Sequence, residues 1–445
     1  MPVISSHRFR WGRTLVVAGI LAAAGGAAPA LAQSGLKSLL GIEVAQAGRA
    51  DPSAPVIGRS EWDQPFDASG APSSYLDQAQ SSDGRAPLLS SETVPAMIAA
   101  IGQYELIVSQ GGWPEIAGGA PLKVGMRDPR VQALRARLIA SGDLQQSLGT
   151  ANVFDSYVEN AVRHFQSRNG LRPDGVVRDE TLSALNVPAT DRLQQLRLNV
   201  ERVEEYSKKL PDRYVMVNIP AAEIEGVQDG AVVTRHNAIV GRPERQTPIL
   251  VSKVHELNFS PYWHVPESIV VRDVMPAMQR DPEYLSKNLI RAYDADNNEV
   301  DVHSIDWTNS EDALRYQYRQ DPGEDINSMG AIKINFYNKH AVFLHDTPQK
   351  RLFGQNFRAY SSGCVRVQNV EQLVTWLLQS NKDEEWSRQR VDAVIASGER
   401  IDVPIKKPVP IMTVYVTAWA QPDGTVQFRR DLYERDGVGP LAANY

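Results

Sequence analysis

The sequence predicts a multidomain α+β protein: a small three-helix domain, then a mainly β domain interrupted by a charged, helical insertion. Three observations carry that reading. The chain has 445 residues, too many for one ordinary domain. Apolar residues recur at helical spacing from residue 91 to about 209, and short β-branched runs take over from Tyr214. Hydrophobic residues make up 42% and charged residues 22%, a balance that allows several buried cores.

Residues 1–32 read as a cleaved export signal. Arg8, Arg10 and Arg13 precede an apolar run from Thr14 to Ala28, and Ala30-Leu31-Ala32 supplies a small-x-small cleavage site. The run is shorter than the 17–25 residues of a membrane-spanning helix, and no later run is apolar enough to span. Loss of the three arginines moves the formal charge from −6 to −9. So acidic a chain is a poor partner for nucleic acid, which needs clustered Lys and Arg.

Residues 33–90 are rich in Ser, Ala, Gly, Pro, Asp and Gln, and read as a linker. Order is expected from Ser91, in a segment (91–120) whose helix shows Met97, Ile98, Ile101, Tyr104 and Ile107 and ends at Gly111-Gly112. Residues 121–187 form the three-helix unit. Asp128-Pro129 starts its first helix, with Val131, Leu134 and Leu138 on one face. Val158, Ala161, Val162 and Phe165 line the second, stopped at Gly170, and Pro173-Asp174-Gly175 turns into a third at Thr181, Leu182 and Leu185. His164 reads as a partly buried helix residue, since no second metal ligand is near. A polar connecting helix fills 188–210.

In the β domain, 211–435, strands are expected at Tyr214–Ile219, Val232–Val240, Val254–Phe259, Ala331–Phe336 and Ala341–Leu344. The insertion spans 273–325. A helix is expected at Val370–Gln379, and a last hairpin pairs Thr413–Ala418 with Thr425–Phe428. The sequence has no His-Glu-x-x-His or other metal-type cluster.

The chain has one cysteine, Cys364. In an exported protein it is a buried inert thiol, an intermolecular staple or a working nucleophile. Its surroundings favour the last. A strand delivers His345 at its tip in His345-Asp346-Thr347-Pro348, and Ser361-Ser362-Gly363-Cys364-Val365-Arg366-Val367 returns after one hairpin-like excursion. An imidazole raises the thiolate fraction and can shuttle the proton of an acyl transfer. Gly363 permits a tight turn, which makes the Gly363 and Cys364 N–H groups candidate oxyanion donors.

These segments resemble the signature of the L,D-transpeptidase (YkuD-type) family. Tyr262-Trp263-His264-Val265-Pro266, Gly330-Ala331-Ile332-Lys333 and Leu344-His345-Asp346-Thr347-Pro348 fit its large lidded subgroup. The stretch Gln166–Gly175 within 121–187 resembles the small peptidoglycan-binding domain. The resemblance implies that Cys364 is the nucleophile, His345 its base, and Asp346 the residue that orients the ring through its carbonyl. It implies that Arg366 holds a substrate carboxylate or braces the cysteine loop. Ser362 stands where many members carry histidine, so any positioning that histidine provides must differ here. Tyr262 and Trp263 divide between packing and substrate contact.

The implied reaction takes a tetrapeptide stem, expels its terminal D-alanine, and passes the acyl group to a side-chain amine on a neighbouring stem, giving a 3→3 cross-link in the periplasm or cell-wall space. The implied partners are peptidoglycan stem peptides and glycan, with a carbapenem adduct expected on Cys364. No metal, nucleotide or other cofactor is implied. The small domain would concentrate substrate by tethering. An L,D-carboxypeptidase using water on the same site, and a wall-binding scaffold without chemistry, are the competing expectations.

Overall fold

The computed structural model describes residues 86–146, 149–323, 325–381 and 385–437; the expected export signal and nearly all of the expected linker lie outside them. Order begins before Ser91. Leu88 and Leu89 are buried, held because the Leu88 N–H donates to Glu225 (3.0 Å) and the Tyr214 hydroxyl donates to the Leu89 carbonyl (2.9 Å).

Helix α1 (Thr93–Ser109) buries Met97, Ala100, Tyr104 and Ile107. It ends where Gly111 and Gly112 take positive φ, a conformation glycine adopts without a Cβ penalty. The three-helix unit follows as α2 (Arg130–Ala140), α3 (Ser156–Arg168) and α4 (Asp179–Asn186). They close on a core that includes Val131, Leu134, Leu138, Val158, Val162 and Phe165. Asp128 accepts from the Arg130 N–H at 2.9 Å, the cap the Asp-Pro pair suggests, and the regular helix runs from Arg130. Asp155 caps α3 through the Val158 N–H.

Helix α5 (Ala189–Ser207) joins this unit to the β domain. The junction is a set of buried polar bonds. Gln195 donates to the carbonyls of Thr417 and Arg429, and Asn199 donates to the Thr417 hydroxyl. Arg429 donates to the Arg168 carbonyl (3.1 Å), and Arg168 to the Val426 carbonyl (3.2 Å). Arg429 also lies flat on Gly170, where an added Cβ would come within 2.7 Å of its Cδ. Tethering is therefore an incomplete description: the small domain is docked in one orientation.

The β domain opens with β1 (Arg213–Asn218), β2 (Glu223–Gln228), β3 (Ala231–Gly241) and β4 (Leu250–Phe259). The insertion begins earlier than the expected residue 273, at Trp263, which pairs with Gln320, and it is helical only in part. Its short helices and a π-helical turn at Val270–Val274 pack against a four-stranded sheet of β5 (Trp263–His264), β6 (Ile290–Tyr293), β7 (Glu299–Val300) and β8 (Gln317–Gln320). It has a core of its own, with Trp263, Met278, Trp307 and Tyr318.

The main sheet resumes with β9 (Ile332–Phe336), β10 (Leu344–His345), β11 (Ala359–Ser361) and β12 (Val365–Val367). Then come α6 (Val370–Leu378), α7 (Arg388–Ser397) and β13 (Ile401–Val414). Strand order is β11-β3-β12-β10-β9-β4-β13-β1-β2, and β2 pairs with β3, so the sheet closes on itself. The apolar interior, with Val217, Leu257, Ile334, Leu344 and Val365, is plugged by Leu373, Leu377 and Val391 of α6 and α7.

The last hairpin is shorter than expected, β14 (Ala418–Ala420) with β15 (Val426–Phe428). Thr413 belongs instead to β13, which pairs with both β1 and β4. Pro404, Pro408 and Pro410 disguise that strand, because proline cannot donate to a ladder; the register shifts between Pro404 and Val409 to accommodate them.

One buried charge cluster organises the small domain. Asp143 carries hydrogen bonds from Arg168, His164 (2.7 Å) and Ser141 (2.6 Å). His164 is exposed rather than partly buried. Burial opposes the charged Asp143 carboxylate, but the Arg168 charge and these bonds outweigh it and hold its pKa far below the usual range. Its stabilisation is therefore present above the unfolded carboxylate pKa near 4 and is lost as pH falls. Asp143→Asn leaves buried Arg168 uncompensated and is expected to cost about 3 kcal/mol or more. Urea denaturation at pH 7 checks this; a cost below about 1 kcal/mol would mean that the pair behaves as a surface ion pair.

Candidate active site

The site is built by three neighbouring strands. His345 on β10 stands opposite Lys333 on β9 and Arg366 on β12, while Leu344 stands opposite Ile334 and Val365. Because side chains alternate across a strand, the aliphatic row fills the interior and the polar row lines the open face. The Phe343 ring joins that face: Lys333 Nζ lies 4.5 Å from its centroid and the His345 ring 5.6 Å.

β10 and β12 are parallel. The expected hairpin-like excursion is therefore a crossover, which runs through a 3-10 turn at Lys350–Gly354 and through β11 before the cysteine loop. It places half-buried Cys364 just ahead of β12, with the Val365 N–H bonded to the Phe343 carbonyl at 3.0 Å.

The histidine ring is fixed through its neighbour. Nδ1 of His345 lies 2.5 Å from the Asp346 carbonyl, which can only accept, so Nδ1 carries the hydrogen and Nε2 is left basic. The Asp346 carboxylate is used elsewhere. It accepts from the Ala331 N–H (3.0 Å) and pairs with Lys350. Gly330 makes room for it, with φ +58 and an added Cβ only 2.4 Å from the carboxylate.

Charge is scarce on the reacting groups. Burial pushes His345 down to about 3, Arg366 and Lys333 push the same way, and the carbonyls of Asp346 and Ser328 oppose them. Burial pushes the Cys364 thiol up to about 11, against the Phe343 backbone, Lys333 and Arg366. The resting pair is thus neutral thiol and neutral imidazole. The raised thiolate fraction expected from sequence is absent, because desolvation outweighs the two nearby cations. No hydrogen bond joins the ring to Cys364 among the described residues.

The cysteine loop is tightly braced. Gly363 has φ +115. Its carbonyl accepts from Thr247 (2.9 Å) and its N–H donates to the Ser361 hydroxyl (3.2 Å), which donates in turn to the Cys364 carbonyl. The Gly363 N–H is therefore engaged inside the loop and is not poised as an oxyanion donor; the amide of Cys364 has no acceptor among the described residues. Ser362 accepts from Arg245 at 2.9 Å, and Arg245 is paired with Asp273 of the insertion.

Other expected site residues separate. Arg366 is buried and donates to Gln349 (2.8 Å) while standing opposite His345, which suits bracing. Trp263 is buried in the insertion core. Tyr262 is half-buried, with the Arg319 and Arg400 guanidinium groups over its ring. Sequence reasoning missed Lys333 and Arg245. Alternation in Ile332-Lys333-Ile334 could have placed Lys333 on the open face, whereas nothing local ties Arg245 to a serine 117 positions away. Among the described residues no group of three or more His, Cys, Asp or Glu could hold a metal ion, and no helix is long and apolar enough to cross a membrane.

Residues 212–411 match the family described as "L,D-transpeptidase catalytic domain" (YkuD), and residues 127–185 match the "Putative peptidoglycan binding domain" family. A curated protein of Haemophilus influenzae named "Putative L,D-transpeptidase" is 34% identical over 245 residues, 55% of this chain and 48% of that protein. The chain thus spans about half the length of that relative. Among solved structures, an L,D-transpeptidase of Xylanimonas cellulosilytica aligns with 15% identity and a TM-score of 0.23, covering 67% of this chain and 98% of that one. One from Stackebrandtia nassauensis aligns with 10% identity and a TM-score of 0.25, covering 66% and 97%. Residues 212–411, which hold Lys333, His345, Cys364 and Arg366, are a domain of the L,D-transpeptidase catalytic (YkuD) family, preceded at 127–185 by a domain of the peptidoglycan-binding family.

Proposed function

We propose that this protein is an exported enzyme that joins peptidoglycan stem peptides through a thioester on Cys364, with His345 as its general base. The observation that carries the reading is that His345, paired with Lys333 and Arg366 across the sheet, and the chain's one cysteine, just ahead of β12, both lie within the field of those two cations.

The chemistry follows from the neutral resting pair. As the Cys364 sulfur attacks the carbonyl after the third residue of a donor stem, its proton passes to Nε2 of His345. The imidazolium so formed is favoured by the carbonyls of Asp346 and Ser328. The same proton goes to the departing amine of the terminal D-alanine, leaving the thioester. An incoming side-chain amine reverses the sequence and forms the 3→3 bond. Hydrogen bonds between thiol and base commonly tighten only when substrate is present. The Cys364 N–H is the backbone donor best suited to the developing oxyanion. The docked small domain would present glycan-linked stems to this face in a fixed orientation.

Incubation of residues 33–445 with disaccharide-tetrapeptide, read by mass spectrometry, tests the proposal. The expected product is a dimer lacking one D-alanine, absent with Cys364→Ala. Monomeric tripeptide alone would make the protein an L,D-carboxypeptidase, and no change would leave a wall-binding scaffold. A carbapenem is expected to add its mass to Cys364 and not to the alanine variant.

With a thiol near 11, alkylation of Cys364 by iodoacetamide in the free enzyme should rise about tenfold per pH unit from pH 6 to 9. A flat rate over that range would reveal a preformed thiolate and contradict the neutral pair. Gly330→Ala drives a methyl group into the Asp346 carboxylate and so tilts the His345 ring. Turnover should fall on the order of 100-fold with circular dichroism unchanged; activity within about twofold of wild type would show that Asp346 does not hold the ring.

A further inference from the structure

A second polar cleft abuts the cysteine loop, and the chemistry above makes no use of it. It lies between the insertion and the closed sheet, encloses about 580 Å³ of space open to solvent, and is walled by Arg245, Gln246, Ser268, Arg272, His340 and Ser362. The lining is rich in donors and includes two guanidinium groups but no carboxylate. Asp273, which follows Arg272 in the chain, spends both oxygens on Arg245. Arg272, on the π-helical turn of the insertion, is exposed and has no ion-pair partner among the described residues. Arg245 is mostly buried and anchored at once to Asp273 and to Ser362, so one wall is rigid and the other is free to reach a ligand.

Such a lining suits a carboxylate, which two guanidinium groups and neutral N–H and O–H donors can satisfy in plane. Its position narrows the choice. Ser362 and Gly363, which line the cleft, immediately precede Cys364. The cleft thus reaches to within one residue of Cys364 along the chain. In a donor stem with a free C-terminus, the carboxylate of the departing residue is separated from the scissile nitrogen by a single Cα.

We propose that the cleft walled by Arg245, Arg272 and Ser362 is a carboxylate subsite that holds the free terminal carboxylate of the residue expelled on acylation. This rests on Cys364 acting as the acyl carrier. It assigns Arg272 the role of a specificity residue, and Arg245 that of the support joining the subsite to the cysteine loop.

The test reads binding and chemistry separately. Calorimetry on the Cys364→Ala protein compares the disaccharide-tetrapeptide with its C-terminal carboxamide. The free acid is expected to bind about tenfold more tightly, and Arg272→Gln in the same background should erase that preference by weakening only the acid, with Arg272→Lys restoring part of it. Equal affinity for acid and amide, or an equal loss for both in Arg272→Gln, would overturn the proposal. Turnover of the two peptides by wild-type protein isolates the other reading. Product formation without a preference for the acid removes the subsite but keeps the nucleophile, whereas a binding preference without product removes the nucleophile and keeps the subsite.

Discussion

The register of β10 between β9 and β12 is the constraint on which the rest depends. A strand has only two faces, so Leu344 in the interior obliges His345 to face outward, and the same choice sends Ile334 and Val365 in and Lys333 and Arg366 out. A slip of one residue would turn an imidazole and two cations into the apolar interior and three core side chains out of it, which is prohibitive. The hydrophobic core thereby aligns the polar row beside Cys364. Closure of the sheet through β2 and β3 leaves that row nowhere to drift.

Around this row the protein invests its polar groups in holding backbone still. Asp346 shows the division of labour: its carbonyl sets the ring, while its carboxylate is tied to the Ala331 N–H and Lys350. Ser361 and Thr247 do the same for the turn at Gly363. The outcome is a desolvated thiol and imidazole that both stay neutral at rest, so charge separation is deferred to the moment of attack. The helical unit is held comparably, through Arg168, Arg429 and Gln195, and its orientation toward the β domain is part of the fold.

Much of this was legible in sequence, and the exceptions share a cause. Helices α1 to α3 followed from apolar periodicity and glycine stops, and β9 was expected at Ala331–Phe336. Asp346 was expected to orient the ring by its carbonyl, and the observed Nδ1 contact is of that kind. What failed was non-local. The prolines of β13 obscured a strand whose place is fixed by β1 and β4. The chain between His345 and Cys364 suggested a hairpin, but it crosses over through β11, and β12 pairs with β10 in parallel. Gly363 was expected to offer its N–H, yet Ser361 two residues earlier takes it. Trp263 was expected in part at the substrate and is needed by the insertion core. The link from Arg245 to Ser362 spans elements that no local pattern connects.

The most direct measurement of the central claim is the acyl-enzyme itself. Wild-type protein mixed with disaccharide-tetrapeptide, quenched in acid within a turnover and read by intact-mass spectrometry, should carry the substrate less its terminal D-alanine. Peptide mapping should place that mass on Cys364. Product accumulating while the enzyme's mass never changes, or an adduct on any other residue, would contradict a thioester on Cys364 and with it the role assigned to the whole polar face.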